Sequence, residues 1–437
     1  MQVDERPAVH TDLSGAGAPV RSGFSDGRGG LAGLVGSFLG GDLPAALECY
    51  DGSRIGPIDA STRVIVRSPD ALHYVLTAPG ELGFARAYVA GAIEIDGDIS
   101  TALALRHRLP QARLTAREWL AAARMAGVGA LRPLAPPPEE AHLHGRRHTK
   151  ARDAAGIAHH YDVSNDFYRL VLGPSMTYSC AVFESETATL EDAQAAKYEL
   201  VCRKLGLRPG MRLLDVGCGW GGMVMHAARH HGVHAVGVTL SSRQADWARK
   251  AVAEAGLADR VEIREQDYRD IVDGPFDAIS SIGMFEHVGG ARLDEYFERL
   301  FALLRPQGRL LNHGIARHWG RPRFARRGFV DKYVFPDGEL HEVGSVVSRV
   351  QRAGFEVRHV EGLREHYDRT LRHWVSNLEA HWDEAVRHAG EGRARVWRLY
   401  MAGSACLFAE ARIQIHQVLA VRNDDAGRSG LPLRPDW

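Results

Sequence analysis

The stretch Arg212-Leu213-Leu214-Asp215-Val216-Gly217-Cys218-Gly219-Trp220-Gly221-Gly222 decides the fold. An apolar run carries one acid, breaks into four glycines within six residues, and gives way to a helical pattern from Met223 to Arg229. This is a strand, a tight turn and a helix start. Glycines in such a turn let a ligand approach the backbone, because no Cβ stands in the way, and the first helical turn offers free N–H groups. Gly217, Gly219 and Gly222 also satisfy the dinucleotide pattern G-x-G-x-x-G, so the loop alone does not name its ligand.

The surroundings narrow the choice. Apolar strands are expected at 212–217, 233–240, 261–266, 276–282 and 308–315, with helices at 221–231, 241–256 and 291–304. That alternation predicts an α/β fold with a mostly parallel, Rossmann-like sheet covered on both faces. Ligands in such sheets bind beyond the carboxyl ends of the strands. Asp215 stands two residues before the first glycine, where S-adenosylmethionine (SAM) methyltransferases commonly place an acid. The second strand ends without an acid, in Thr239, Leu240 and Ser241, so the Gln244 amide is the candidate partner for a ribose. After the third strand, Asp267 would meet the adenine amine and Tyr268 would pack on its ring. Residues 367–411 read as largely helical and Gln414 to Arg422 as a late strand.

The chain has 437 residues, room for two domains and a sizeable core. Its 54 basic and 54 acidic side chains balance, so global charge calls for no nucleic acid partner. Five scattered cysteines without a C-x-x-C pair predict a reducing, cytoplasmic setting, with neither a disulfide framework nor a structural zinc. No apolar run approaches the ~18–20 residues that span a bilayer, so any membrane contact is peripheral, at the inner face. Residues 1–35 are expected to be a disordered tail and 36–132 a small α/β module, with strand-like runs at Ser61–Arg67 and Gly91–Gly97 and an alanine-rich helix at 111–130. A Pro-rich and basic linker at 133–156 leads into the main domain, 157–437. Arg317 to Phe329 interleaves five arginines with Trp319, Phe324 and Phe329, a composition that suits an anionic bilayer surface better than nucleic acid. His226 and His230 lie four apart on a helix, but no Asp or Cys follows at metal-ligand spacing, so no metal site is expected.

Four segments in order, HYDVSNDFY (160–168), MTYSCAVF (176–183), LLDVGCGWGG with GVTLSSRQ (213–244) and SIGMFEHVGG (281–290), resemble the cyclopropane-fatty-acyl-phospholipid synthase family of SAM-dependent methyltransferases. The likeness runs from about 157 to 422, and the N-terminal module is similar to the extra domain of the phospholipid-modifying members. The resemblance implies that Tyr178, Ser179, Gly217, Gly219, Thr239, Leu240 and Gln244 touch SAM. It implies a bicarbonate ion held by Cys180, Glu286, His313 and Tyr367, with backbone groups at Ile282 and Ile315. Singly, these residues have plainer readings: a buried hydrophobe, a helix-start acid, a core histidine and a packing tyrosine.

The implied reaction is methyl transfer to a lipid C=C bond followed by proton removal, with Glu286 or His313 orienting the base or receiving the proton. LLNHGIARHWG (310–320), KYVFPDGEL (332–340) and LREHYDRTLRHW (363–374) carry a closer likeness to the actinobacterial branch that makes 10-methylene-stearoyl lipids, precursors of tuberculostearic acid. That branch implies an unsaturated phospholipid substrate at the membrane surface and a separate flavin-dependent reductase. A homo-oligomer is compatible with the sequence. The alternatives are a true cyclopropane synthase, a soluble methyltransferase for an amine or phenol, and a non-catalytic lipid-binding subunit.

Overall fold

The computed structural model describes residues 25–26, 30–39, 43–108, 120, 124–125, 132–142, 145, 147, 149–150, 152–153, 156, 163–320 and 328–437. Most of the expected helix at 111–130, the opening of HYDVSNDFY and the arginines at 321–327 lie outside the described residues.

The N-terminal module is a five-stranded sheet of β1 (Ser25–Asp26), β2 (Ala46–Cys49), β3 (Ser53–Ile55), β4 (Arg63–Val66) and β5 (Ile93–Asp96), in the spatial order β1-β3-β2-β4-β5. Its helices are α1 (Gly30–Leu39), α2 (Asp70–Thr77), α3 (Glu81–Val89) and α4 (Ile99–Ala104). In β4 the exposed Arg63 and buried Val64 and Val66 follow the period of a half-buried strand. Helix α1 corrects the expected tail of 1–35 at residues 30–35. Leu31 and Ala32 are buried, and their N–H groups donate to the Asp51 carboxylate (2.7 Å) and Ser53 Oγ (2.8 Å). A glycine-broken run that carries little helix propensity is held here by tertiary capping and burial.

The described part of the proline-rich segment is also pinned. Glu140 is buried and takes a bidentate pair of hydrogen bonds from Arg86. Arg152 pairs with Asp337 through Nε at 2.5 Å.

The main sheet has seven strands: β6 (Arg212–Val216), β7 (His234–Thr239), β8 (Val261–Glu265), β9 (Phe276–Ile282), β10 (Leu304–Arg317), β11 (Glu356–Gly362) and β12 (Ile413–Val421). Their order is β11-β12-β10-β9-β6-β7-β8. The run from β10 to β8 is parallel, and β12 enters antiparallel between β10 and β11. This is the Rossmann-like, mostly parallel arrangement expected from the alternation of strands and helices. The chain winds outward in both directions from β6, so the crevice at the carboxyl end of β6 is the switch point where ligands bind. Among the described residues ten helices accompany the sheet: α5 (Asn165–Leu172), α6 (Leu190–Leu205), α7 (Gly222–His231), α8 (Ser242–Glu254), α9 (Leu293–Leu303), α10 (Phe329–Tyr333), α11 (Val343–Arg352), α12 (Arg364–Ala380), α13 (Trp382–Ala389) and α14 (Glu391–Ala409). The expected helical run 367–411 is thus three helices, the last starting after Gly390 at φ +80°.

Helix α14 joins the two parts. Arg398 is buried and donates to Tyr88 Oη (3.2 Å), to the carbonyls of Ile95 (3.1 Å) and Gly97 (3.0 Å), and to Glu379 (2.7 Å). Arg398→Ala would leave these acceptors without their cation. It is expected to cost about 3 kcal/mol or more of stability. Urea unfolding measures this, and a loss below about 1 kcal/mol would show that Arg398 does not clamp the module.

Candidate active site

Two adjoining cavities lie beyond the carboxyl ends of the central strands. The first, of ≈ 110 Å³, is lined by Tyr178, Ser179, Asp215, Gly217, Gly219, Thr239, Leu240, Gln244 and Tyr268, together with Lys197 and Gln266, which sequence reasoning did not single out. The glycine turn is built as the sequence requires. Gly217 and Gly219 have φ of +81° and +55°. The Gly217 and Cys218 N–H groups both donate to the Val238 carbonyl at 2.9 Å, which ties the turn to β7. A Cβ on Gly219 would meet no protein atom within 4 Å, so that face is open.

Asp215, one residue before the end of β6, is buried, with Oδ1 accepting from Ser280 Oγ at 2.6 Å. Burial pushes its carboxyl up to about 6 against that hydrogen bond. Lys197 is equally buried, donates from Nζ to Ser179 Oγ at 2.9 Å, and is lowered to about 7 by desolvation. A lysine on a helix ordinarily reads as solvated, and only the packing of α6 beneath the cleft reveals it. Gln244 Oε1 accepts from Thr239 Oγ1 at 2.8 Å, which leaves the amide NH2 as the group a ribose hydroxyl would meet. Tyr268 is buried, its phenol raised to about 12 by desolvation. Asp267 differs from expectation. Its two oxygens are bound by Arg269, whose Nε and NH2 lie at 2.8 and 2.6 Å, and its neighbours Gln266 and Tyr268 line the cleft instead. The arginine two residues away presents a planar fork that matches the carboxylate.

The second cavity, of ≈ 200 Å³, brings together Cys180, Glu286, His313 and Tyr367 with Ile282 and Ile315. Val330, Phe335, Leu371, Leu407 and Phe408 give it an apolar wall. Tyr178, Ser179, Ile282, Gly283 and His287 line both cavities, so a group could pass from one to the other across this shared wall. Glu286 sits in a helical turn just after β9. Its Oε1 accepts from the Ile315 N–H at 2.7 Å, and its buried Oε2 has no partner. Desolvation raises the carboxyl to about 7. Ile315 N, expected to face the ion, is therefore committed to Glu286. Gly314 is required beside it, because a Cβ there would lie 1.9 Å from Phe285 and 3.1 Å from Glu286 Oε1.

His313 is buried, and desolvation holds its imidazole well below the usual histidine range, so the ring is neutral. Gln417 Nε2 reaches its Nδ1 at 3.3 Å, and its Nε2 is buried without a partner. The Cys180 thiol is fully buried, donates to the Leu363 carbonyl at 3.7 Å, and is raised by burial, so it stays an S–H. Tyr367 is buried against Phe408, with ring centroids 4.8 Å apart. Glu286 Oε2 and His313 Nε2 are thus two buried polar atoms without partners in a cavity that also holds a thiol and a phenol.

His226 and His231 both point Nε2 at Glu199 Oε2, at 3.4 and 3.0 Å, and Cys202 lies within 4.8 Å. The sequence spacing around His226 and His230 does not announce this group, because α6 packs beside α7 and brings together residues distant in sequence. Glu199 already occupies both rings, and burial keeps the Cys202 thiol protonated, so the group reads as a packing contact. No helix among the described residues is long and apolar enough to cross a membrane.

Comparison with known proteins follows the same outline. The profile of the mycolic acid cyclopropane synthetase family matches residues 148–418. A probable fatty acid methyltransferase of Mycobacterium tuberculosis is 48% identical over 426 residues, 95% of this chain and 100% of that protein. The structure of a cyclopropane synthase from Mycobacterium tuberculosis superposes with a TM-score of 0.59 at 35% identity, covering 63% of this chain and 99% of that one. A mycolic acid cyclopropane synthase complexed with SAH and CTAB gives 0.59 at 37%, covering 61% and 97%. The chain belongs to the mycolic acid cyclopropane synthetase family, and it is a SAM-dependent methyltransferase of that type.

Proposed function

We propose that the enzyme methylates the C=C bond of an unsaturated acyl chain in a phospholipid and releases a 10-methylene product. The observation that carries this reading is the pair of adjoining cavities: a glycine-lined ligand cleft, and an apolar-walled cavity that holds Glu286, His313, Cys180 and Tyr367. A double bond needs no activating base, which suits a cavity whose Cys180 thiol is kept protonated by burial and whose wall is largely apolar. Bound SAM supplies an electrophilic methyl group. The alkene π pair forms the new C–C bond as the C–S bond breaks, leaving the neighbouring chain carbon cationic. The apolar wall excludes water that would trap this cation.

Glu286 is the proton acceptor in this reading. Its Oε1 is held by Ile315 N, and its open Oε2 faces the same cavity. Bicarbonate would be held by the Cys180, Glu286, His313 and Tyr367 set, where it would supply a small base whose proton Glu286 receives. If the methyl group loses its proton directly, its carbon bonds to the cationic carbon and closes a cyclopropane. If a hydride first shifts from the methyl-bearing carbon, proton loss leaves an exocyclic methylene. The methylene outcome rests on the segments around His313, Val334 and Tyr367. It brings with it a flavin-dependent reductase partner and a membrane-surface substrate met by the Arg317–Phe329 loop.

Oleoyl phospholipid vesicles, anionic or neutral, incubated with SAM test the reading. Vinylidene proton signals are expected, with faster turnover on the anionic vesicles. Upfield ring signals without vinylidene signals would establish the cyclopropane product instead. Equal rates on both vesicles would remove the anionic surface from the proposal.

A further inference from the structure

A buried chain of polar groups runs away from His313 and is not explained by packing. Lys204 is fully buried on α6 and donates from Nζ to Gln417 Oε1 at 2.7 Å and to the Glu361 carboxylate. Gln417 is fully buried on β12, opposite His313 in the antiparallel register of β10 and β12. Its Nε2 meets His313 Nδ1 at 3.3 Å.

The donors and acceptors leave one consistent arrangement. An ammonium only donates, so Gln417 must turn its oxygen to Lys204. Its NH2 then faces His313, and an amide NH2 also only donates. Nδ1 must therefore be bare, and the ring proton of a neutral His313 sits on Nε2. That nitrogen is the buried atom without a partner, on a residue that lines the same cavity as Glu286.

We infer that Lys204 and Gln417 are positioning residues that lock His313 in the Nε2–H tautomer, so that His313 serves the reaction as a fixed hydrogen-bond donor and not as the base. The inference rests on the methyl-transfer reading of this cavity and separates two roles that the sequence left joined. His313 presents a proton, and Glu286, with Oε2 open, accepts one. Lys197, Lys204 and His416 are the titratable groups that act on the ring, and all three disfavour its protonation. The amide and its ammonium clamp lie behind the ring, on the side away from its open nitrogen, where they orient it without touching substrate. Glu361 matches the charge of Lys204, which makes a buried ammonium tolerable at this position.

The tautomer is directly observable. In full-length protein labelled with 15N-histidine, the His313 ring signals, identified by their loss in His313→Asn, are expected to show a protonated Nε2 and a bare Nδ1 at neutral pH. Gln417→Glu puts an acceptor against Nδ1 and is expected to move the proton there or to create an imidazolium. Gln417→Leu and Lys204→Met are expected to lower kcat at least about tenfold with little change in the KM for SAM. Gln417→Asn, which keeps the amide chemistry, should recover part of the loss. A protonated Nδ1 in the native enzyme overturns the inference, and that spectrum decides even if a variant fails to fold. The spectrum is also independent of turnover, so a correct tautomer in a protein that methylates no lipid would sink the functional reading and leave the ring assignment standing.

Discussion

Glu286→Gln is expected to reduce turnover by about 10³-fold while SAM affinity changes by less than about twofold. The substitution keeps the volume and lets the amide oxygen still accept from Ile315 N. It removes a carboxyl group that lines the cavity with His313 and Cys180 and has a buried oxygen without a partner. The native enzyme should show the matching pH dependence. Glu286 accepts a proton only when ionised, and burial places its titration near 7. The rate is therefore expected to rise through about pH 7 and level off above it, and the limb should vanish in the variant. Stability should move the other way. The folded carboxyl lies above its ordinary value, so whatever it contributes is present at low pH and lost as pH rises through about 7. Above that pH Glu286→Gln should be no less stable than the native protein. Steady-state kinetics across pH 5.5–8.5, with calorimetry for SAM, measures both effects; that interval is chosen to span roughly one and a half units on either side of the transition. Turnover within about threefold of native would exclude Glu286 as the proton acceptor.

How much of this could be read from the chain depends on where the information sits. The glycine turn is local: strand, turn and helix start are written in consecutive residues, and the structure places β6, the turn and α7 there. The four oxyanion candidates are scattered between residues 180 and 367, and no spacing rule relates them. A family resemblance identified them, and the fold brings them into one cavity. What remained hidden is tertiary. Strand β11 reads Glu-Val-Arg-His-Val-Glu-Gly, with no buried face to announce it, and it forms because β12 offers a free edge. Lys197, Lys204 and Gln417 are polar residues on elements whose exposed positions ordinarily carry such side chains. Only the packing of α6 against the sheet turns them inward. Asp267 shows the influence of a neighbour that the strand pattern does not announce. It follows β8 as expected, but its carboxylate pairs with Arg269, and Gln266 and Tyr268 line the cleft.

Gly219→Val should abolish SAM binding by a route that involves no catalytic group. The Cβ direction at Gly219 meets no protein atom, and the residue lines the cleft, so a branched side chain would project into space left for a ligand. Two penalties add. A non-glycine residue at φ +55° costs roughly 1–2 kcal/mol of backbone strain, which falls on stability. The steric block falls on binding alone, and an affinity loss of at least about 100-fold, equivalent to about 2.7 kcal/mol, is expected. The two are separable with Gly256, which has φ +67° and also no atom within 4 Å of its Cβ direction, but ends a helix away from the cleft. Gly256→Val should lose comparable stability in urea and still bind SAM with native affinity. If calorimetry finds Gly219→Val binding as tightly as the native protein, the glycine turn does not hold the cofactor. If both variants lose affinity equally, backbone strain and not the open face of Gly219 is the cause.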